Sequence, residues 1–211
     1  MSLDVEAFIR ERLPLEPVLG APEVRLHRAG PHSGLMRLAE ADPDFEPPYW
    51  SRPWGGGLVL ARHVLDNPDL VAGRRVMDLG AGSGLVAIAA ALAGAAKVVA
   101  VDVDPYAITA ARLNAAANGV ALSYLRADLT RGAPPDVDLI LVGDLFYARG
   151  LARRVEAFLR RCQSAGVSVL IGDPGREALP AARLHVVAEH PVVDYGDPGG
   201  AVRNAAVYAL I

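Results

Sequence analysis

The chain has a single cysteine, Cys162, few aromatic residues and no surplus of positive charge. One thiol excludes an intramolecular disulfide and any zinc site built on several cysteines. Within "FLRRCQS", at the end of an expected helix, Cys162 reads as a half-buried structural thiol rather than a nucleophile. The balance of 21 basic against 24 acidic residues gives a net charge of -3, which excludes a broad electrostatic surface for nucleic acid. His27, His32, His63, His185 and His190 are neither clustered nor spaced as metal ligands, so no metal is expected. The G-x-S-x-G elbow of a serine hydrolase and the Walker loop of a nucleotide triphosphatase are both missing. The longest apolar stretch, around Leu85 to Ala96, is broken by Gly94 and too short to cross a bilayer. "MSLDVEAFIRERL" lacks the basic head and apolar run of a signal peptide. These absences lead to the expectation of a cytoplasmic protein away from membranes, with a monomer as the default state.

What is present has two parts. Prolines recur through residues 1–53 and hydrophobic periodicity is weak there, which predicts a short helix over Leu3 to Arg12 and then an irregular arm. "FEPPYWSRPWGGG" joins this arm to a regular region, 54–211, read as the main domain. A helix with Leu58, Ala61, Val64 and Leu65 on one face precedes the strand "RRVMDL", a glycine loop and a helix ending at Gly94. "KVVAVDV" follows, and Asp104 with Pro105 forms the N-cap and first turn of a helix running to Asn118 and Gly119. Strands are expected at "ALSYLRA", "VDLILVG", "VSVLIG", "LHVVAEH" and "NAAVYALI", with a helix from about Arg149 to Cys162. This alternation predicts an α/β fold, a doubly wound and mostly parallel seven-stranded sheet of Rossmann-like type. Ligands in such sheets bind beyond the carboxyl ends of the strands, where the acidic and glycine-rich segments fall.

The loop "DLGAGSG" places Asp78 before Gly80, Gly82 and Gly84. Glycines between strand and helix let the backbone approach a ligand, and the helix start offers free N–H groups. Dinucleotide enzymes use this arrangement for a pyrophosphate, and "GSGLVA" fits their G-x-G-x-x-[GA] pattern. A carboxylate would repel a pyrophosphate and attract a cation. S-adenosylmethionine has no phosphates and carries a sulfonium and an ammonium, so Asp78 is read as facing its cationic part, directly or through water. Asp102, closing the second strand, is placed to accept from ribose hydroxyls, and Asp128 in "RADL" from an adenine amino group.

"VMDLGAGSG", "VVAVDVDP", "RADL" and "LVGDLFY" resemble, in order and spacing, the class I S-adenosylmethionine-dependent methyltransferases. More narrowly, "PYWSRPWGGG", "LDNPDLVAGRRVMDLGAGSG", "GDLFYARGLA" and "VLIGDPGR" are similar to the seven-β-strand protein-lysine methyltransferases that modify the electron-transfer flavoprotein β subunit. "DLFY" matches the D-x-x-Y signature of that lysine-methylating group. The resemblance covers roughly Trp50 to the end of the chain. It implies S-adenosylmethionine as cofactor and the electron-transfer flavoprotein β subunit as protein substrate. It implies that Asp144 holds the incoming lysine, with a place at the cofactor as well, while Tyr147 lines the lysine channel and Phe146 packs behind it. It also tips Trp54 toward covering the cofactor, whereas Trp50 reads equally as packing.

Methyl transfer to nitrogen needs alignment, exclusion of water and a neutral amine. Lysine is protonated at neutral pH and must lose a proton first. Asp173 and Arg176 of "GDPGR" read as contacts to a protein substrate or as a plain turn. Within the same chemistry, a ribosomal-protein or small-molecule N-methyltransferase is the nearest rival. A nicotinamide-dependent oxidoreductase and a non-catalytic nucleoside-binding module are the alternatives of different class.

Overall fold

Val76 and Met77 adjoin in sequence yet lie in different apolar clusters, because alternate side chains of a strand point to opposite faces of its sheet. The structure, a computed structural model, describes residues 4–30, 32–35, 38, 40, 42, 45–193 and 202–211. In chain order the elements are α1 (Val5–Arg12), β1 (Leu15–Val18), β2 (Ala21–His27), α2 (Gly55–Asp66), β3 (Arg75–Leu79) and α3 (Leu85–Leu92). They continue with β4 (Lys97–Asp102), α4 (Pro105–Ala117), β5 (Ser123–Arg126), β6 (Leu139–Gly143) and α5 (Arg149–Ser164). The last three are β7 (Ser168–Asp173), β8 (Leu184–Val193) and β9 (Val202–Leu210).

The seven-stranded sheet has the order β5-β4-β3-β6-β7-β9-β8. β3 to β7 run parallel, and β9 lies antiparallel between β7 and β8. From β3 the chain winds outward to β4 and β5, then returns across β3 to begin β6 on its other side. That reversal leaves a crevice above the carboxyl ends of β3 and β6. Leu79 pairs with Val142 in register, so the glycine loop and the segment beginning at Asp144 start side by side. The first layer contains Leu58, Val59, Leu60 and Val64 of α2 with Val86 and Ile88 of α3. The second contains Val155, Phe158, Leu159 and Cys162 of α5. Cys162 is fully buried rather than half-buried, and burial pushes its thiol pKa up, as suits a packing residue. Among the described residues no helix is long and apolar enough to cross a membrane.

The arm differs from its expectation in one respect. After α1, capped by Asp4 accepting from the Ala7 amide at 3.1 Å, the chain forms an antiparallel hairpin of β1 and β2. Gly20, at φ +92°, turns the chain between the strands. Pro17 and Pro22 obscure this hairpin in the sequence, yet proline is tolerated where a strand has no inner neighbour to pair with. Val24 and Leu26 enter the first layer, and the backbone of β2 is stitched to α4 by two asparagines one turn apart. Asn114 Oδ1 accepts from the His27 amide at 2.8 Å, and Asn118 bonds both the Arg25 amide and its carbonyl. The expected helix start at Leu3 and the arm prolines Pro31 and Pro43 lie outside the described residues.

Helix α2 begins at Gly55, so the three glycines form its first turn rather than a linker ahead of Leu58. Trp50 is a core residue, packed with Phe8, Ile9 and Leu13 of the arm and Leu113 of α4.

Candidate active site

Gly80, Gly82 and Gly84 have φ of +75°, +52° and +81°, a left-handed path that side chains disfavour. The loop is pinned from two sides. Val101 O accepts from the amides of Gly80 and Ala81 at 2.8 and 3.0 Å, and Asn114 Nδ2 donates to Ser83 O at 2.8 Å. Gly84, in left-handed conformation, is the N-cap of α3 and brings no side chain to the first amides of that helix.

Asp78 supplies what the cap lacks. Its Oδ2 accepts from the Ala87 amide at 2.9 Å, and the carboxylate is almost wholly buried. Burial pushes its pKa up to about 7; the Ala87 amide works against this and the charge of Asp102 adds to it. The acid is therefore a helix cap as well as a wall of the crevice, a double role that the sequence reading did not include. Asp102 links loop and strand: Oδ2 accepts from the Gly82 amide at 2.8 Å and Oδ1 from the Asp104 amide at 3.0 Å. Asp104 caps α4 through the Tyr106 amide, as its place before Pro105 predicts. Asp128 closes a turn on Thr130, accepting from its hydroxyl at 2.6 Å and its amide at 2.9 Å. The Thr130 hydroxyl leads the contacts that hold the Asp128 carboxyl below its ordinary range.

Across the crevice stands Asp144, the one non-glycine with positive φ among the described residues, at +60°. Aspartate tolerates this conformation better than most side chains, but a left-handed residue in a crevice wall is a mark of functional constraint. Asp144 does not cap the helix that follows, since α5 starts from Ala148 without a side-chain bond. Its Oδ2 accepts from the Gly57 amide at 2.6 Å, capping α2 from a distance in sequence, and its Oδ1 is ion-paired with Arg176. Burial pushes the Asp144 carboxyl up to about 6 despite the opposing pull of Arg176.

This arrangement depends on backbones meeting without side chains between them. A Cβ on Gly56 would lie 2.3 Å from Gly172 O and 2.8 Å from Asp144 Oδ2; one on Gly172 would lie 2.1 Å from Gly56 O. Only glycine lets the first turn of α2 approach the ends of β6 and β7 this closely.

The aromatic residues divide by depth. Phe146 is fully buried in the second layer, whereas Tyr147 is exposed, with its ring 5.7 Å from that of Tyr49. The Tyr49 ring in turn meets Trp54 edge-on at 5.8 Å, and the Tyr49 backbone carbonyl accepts a 2.6 Å hydrogen bond from the indole. Trp54, Asp78, Gly80, Gly82, Asp102, Asp128, Asp144 and Tyr147 all line one crevice of about 980 Å³. Gly84 does not line it; a Cβ there would press on Ala111 at 3.0 Å, so its glycine serves the packing of α3 on α4. The volume lies at the upper end of the ~300–1,000 Å³ usual for ligand sites, room for a nucleoside and the tip of a second molecule.

For Asp173 and Arg176, read from the sequence as substrate contacts or as a plain turn, the structure has the turn. Asp173 is fully buried, accepting from the amides of Gly175 and Arg176 at 2.8 and 2.7 Å, and Arg176 belongs to Asp144. Gly57 as a partner of Asp144 carried no sequence signal, because the two are 87 residues apart. Among the described residues no group of three or more histidine, cysteine or carboxylate side chains is placed to hold a metal ion.

Residues 60–170 match the family described as ribosomal protein L11 methyltransferase (PrmA). The electron transfer flavoprotein beta subunit lysine methyltransferase of Danio rerio is 44% identical over 160 residues, 74% of this chain and 61% of the relative. The enzyme of the same description from Rattus norvegicus is 45% identical over 180 residues, 83% of this chain and 70% of its own length. Among solved structures, magnesium protoporphyrin IX methyltransferase from Synechocystis PCC 6803 with bound SAM superposes with a TM-score of 0.52 at 16% identity. That match covers 80% of this chain and 86% of the other, and speaks for the fold alone.

Proposed function

Because the chain belongs to the family of electron transfer flavoprotein beta subunit lysine methyltransferases, we propose that it transfers methyl groups from S-adenosylmethionine to lysine side chains of a protein, the electron transfer flavoprotein β subunit. The observation that carries this reading is the pairing, in one crevice, of an acid-lined glycine loop with the constrained carboxylate of Asp144.

The cofactor fits the residues present. Asp78 is a buried carboxylate whose burial raises its pKa, and the neighbouring charge acting on it is another carboxylate, Asp102. A cation in the crevice relieves that situation and a pyrophosphate worsens it. Asp78 and the loop glycines would hold the methionine part, Asp102 the ribose, Asp128 the adenine edge, and Trp54 would cover the group. When bound, the cofactor supplies a methyl carbon already activated by its sulfonium. The chain's own residues do the rest. Asp144 accepts from the incoming amine and aims its lone pair, Tyr147 and Tyr49 confine the lysine stem, and buried Phe146 keeps water from the floor. A carboxyl poised near pH 6 is also able to take the proton that the ammonium sheds.

Residues 1–53 act in this reading as a cover for the catalytic domain of 54–211. Supporting this, the Tyr106 hydroxyl donates to Asp42 Oδ2 at 2.5 Å, and Tyr49 stands in the crevice wall. The finer parts of the proposal are a monomer, located in the cytoplasm, with no nucleic acid partner; the net charge of -3 supports the last.

Two outcomes follow for cofactor binding. Asp102→Ala is expected to weaken it by about 10- to 100-fold, the worth of charge-assisted hydrogen bonds. Calorimetry checks this, and unchanged affinity would remove Asp102 from the ligand's contacts. The second concerns pH. The Asp78 carboxyl is raised from 3.8 to about 7 in the free protein, so its contribution to stability is full at low pH and is lost as pH rises through 7. A bound cation favours the carboxylate, so binding releases a proton, and affinity rises roughly tenfold from pH 6 to 7.5. Asp78→Asn should flatten this dependence; a wild-type affinity level across that range would contradict the role given to Asp78.

The proposal as a whole is tested by incubating the protein with labelled S-adenosylmethionine and recombinant electron transfer flavoprotein, with ribosomal protein L11 and a cell lysate in parallel. Label on lysines of the flavoprotein β subunit is expected. Label confined to ribosomal proteins or free metabolites would overturn the substrate and leave the chemistry standing. The chain carries one lysine, Lys97, so self-labelling of side chains is confined to a single position.

A further inference from the structure

We propose that Arg176 is a positioning residue that keeps the target lysine in its neutral, nucleophilic form, by setting a fixed guanidinium on the carboxylate that receives the amine. The inference rests on the lysine-methylating reading of the crevice and goes beyond it.

Its basis is the way Arg176 is held. The residue sits in the "DPGR" turn beyond β7, where Asp173 Oδ1 accepts from the Gly175 amide at 2.8 Å and from the Arg176 amide at 2.7 Å. Asp173 Oδ2 lies 3.9 Å from Arg176 Nε, so one buried acid fixes both the backbone and the stem of the arginine. The guanidinium then reaches Asp144 Oδ1, while Asp144 Oδ2 is taken by the Gly57 amide. Both members of the pair are largely shielded, with side-chain exposures of 21% for Arg176 and 14% for Asp144. Arg176 also lines the crevice itself, with Asp144 and Tyr147, and a small cleft of about 280 Å³ that Tyr147 lines as well.

An unpaired carboxylate in this place would slow the reaction near neutral pH. A lysine ammonium brought against a shielded anion is stabilised as an ion pair, which raises its pKa and removes the lone pair from use. A carboxylate already paired with a guanidinium still has lone pairs to accept from the amine, but its pull on a positive charge is largely cancelled. Arginine suits the task because it does not titrate in the working range. The other groups around the pair are Asp173 from the same turn and the Gly57 amide from α2. Tyr147 lines the same crevice, and its hydroxyl feels Tyr49, Asp102, Glu46 and Arg154. Arg176 is the cation in direct contact with Asp144.

The test is the pH dependence of kcat for methylation of the flavoprotein β subunit by the full chain carrying Arg176→Gln or Arg176→Lys, each checked for cofactor binding by calorimetry. Gln removes the charge: the alkaline rise of the profile is expected to move up by about one unit, a roughly tenfold loss at pH 7.5 that is recovered near pH 9.5, with KM little changed. Lys retains a cation, and its profile should stay in place even where its maximum is lower. A Gln variant with activity lost equally at every pH, or with a raised KM and an unshifted profile, would overturn the proposal in favour of a structural or docking role. Should Gln not fold, Lys carries the test alone, and a profile displaced by a full unit in that variant overturns it. A wild-type protein that labels no lysine at all would strike the parent reading instead, which keeps the two failures apart.

Discussion

Asp144→Asn is expected to bind S-adenosylmethionine with near wild-type affinity and to methylate lysine about 10²- to 10⁴-fold more slowly in kcat, the range for losing a group that handles the proton or aims the nucleophile. Asparagine is the gentlest replacement available. It tolerates the φ of +60° that Asp144 adopts, and its carbonyl still has the reach to accept from the Gly57 amide. What it loses is the charge and the second acceptor. Its amide nitrogen would turn donors toward either Arg176 or Gly57, so a modest fall in stability of about 1–2 kcal/mol accompanies the loss of rate. Single-turnover kinetics with saturating cofactor separates the two effects. A variant that transfers methyl groups at the parental rate would reduce Asp144 to a cap for α2.

The largest effect on stability is expected at the glycine seam beneath the site. Gly172→Ala places a Cβ 2.1 Å from Gly56 O and 2.8 Å from the Leu60 Cβ. The first obstacle is backbone, so relief requires α2 to move away from β6 and β7, taking the Gly57 amide from Asp144. The cost is about 3 kcal/mol, typical of overpacking against atoms that cannot rotate aside, and corresponds to a melting temperature lower by roughly 6–12 °C. Gly150→Ala is the control. It lies in α5 with nothing within 4 Å of its added methyl, and is expected to be neutral or to gain up to about 1 kcal/mol from helix propensity. Thermal melts of the two side by side decide the matter; an unaffected Gly172→Ala protein would mean that the close approach of α2 is not a requirement of the fold.

The parts of the molecule that were legible in advance are those where local pattern and final environment agree. "RVMDL" and "LILVG" read as buried parallel strands because both of their faces are covered, and Asp104 with Pro105 marked the start of α4 through chemistry confined to three residues. The acids at the strand ends were found for the same reason: their positions follow from where strands stop. The hairpin of β1 and β2 was not found, since it is held by asparagines about ninety residues away and carries prolines that speak against a strand. Gly55 to Gly57 read as a linker because glycine disfavours helices; the reason for them is a neighbour, Gly172, invisible from the local sequence. The double duty of Asp78 went unseen because the amide it caps belongs to the helix after its own loop. Asp144 lines the crevice, and its partners there, Gly57 and Arg176, come from opposite sides in sequence.

Which nucleoside the crevice accepts decides the chemistry of the site. Titration calorimetry with S-adenosylmethionine and with NAD, run at pH 6.5 in two buffers of different ionisation enthalpy, tests it most directly. A single site for the sulfonium compound with measurable proton release, and no heat from NAD, is the predicted result. Saturable binding of NAD, or S-adenosylmethionine binding without any proton release, would contradict it.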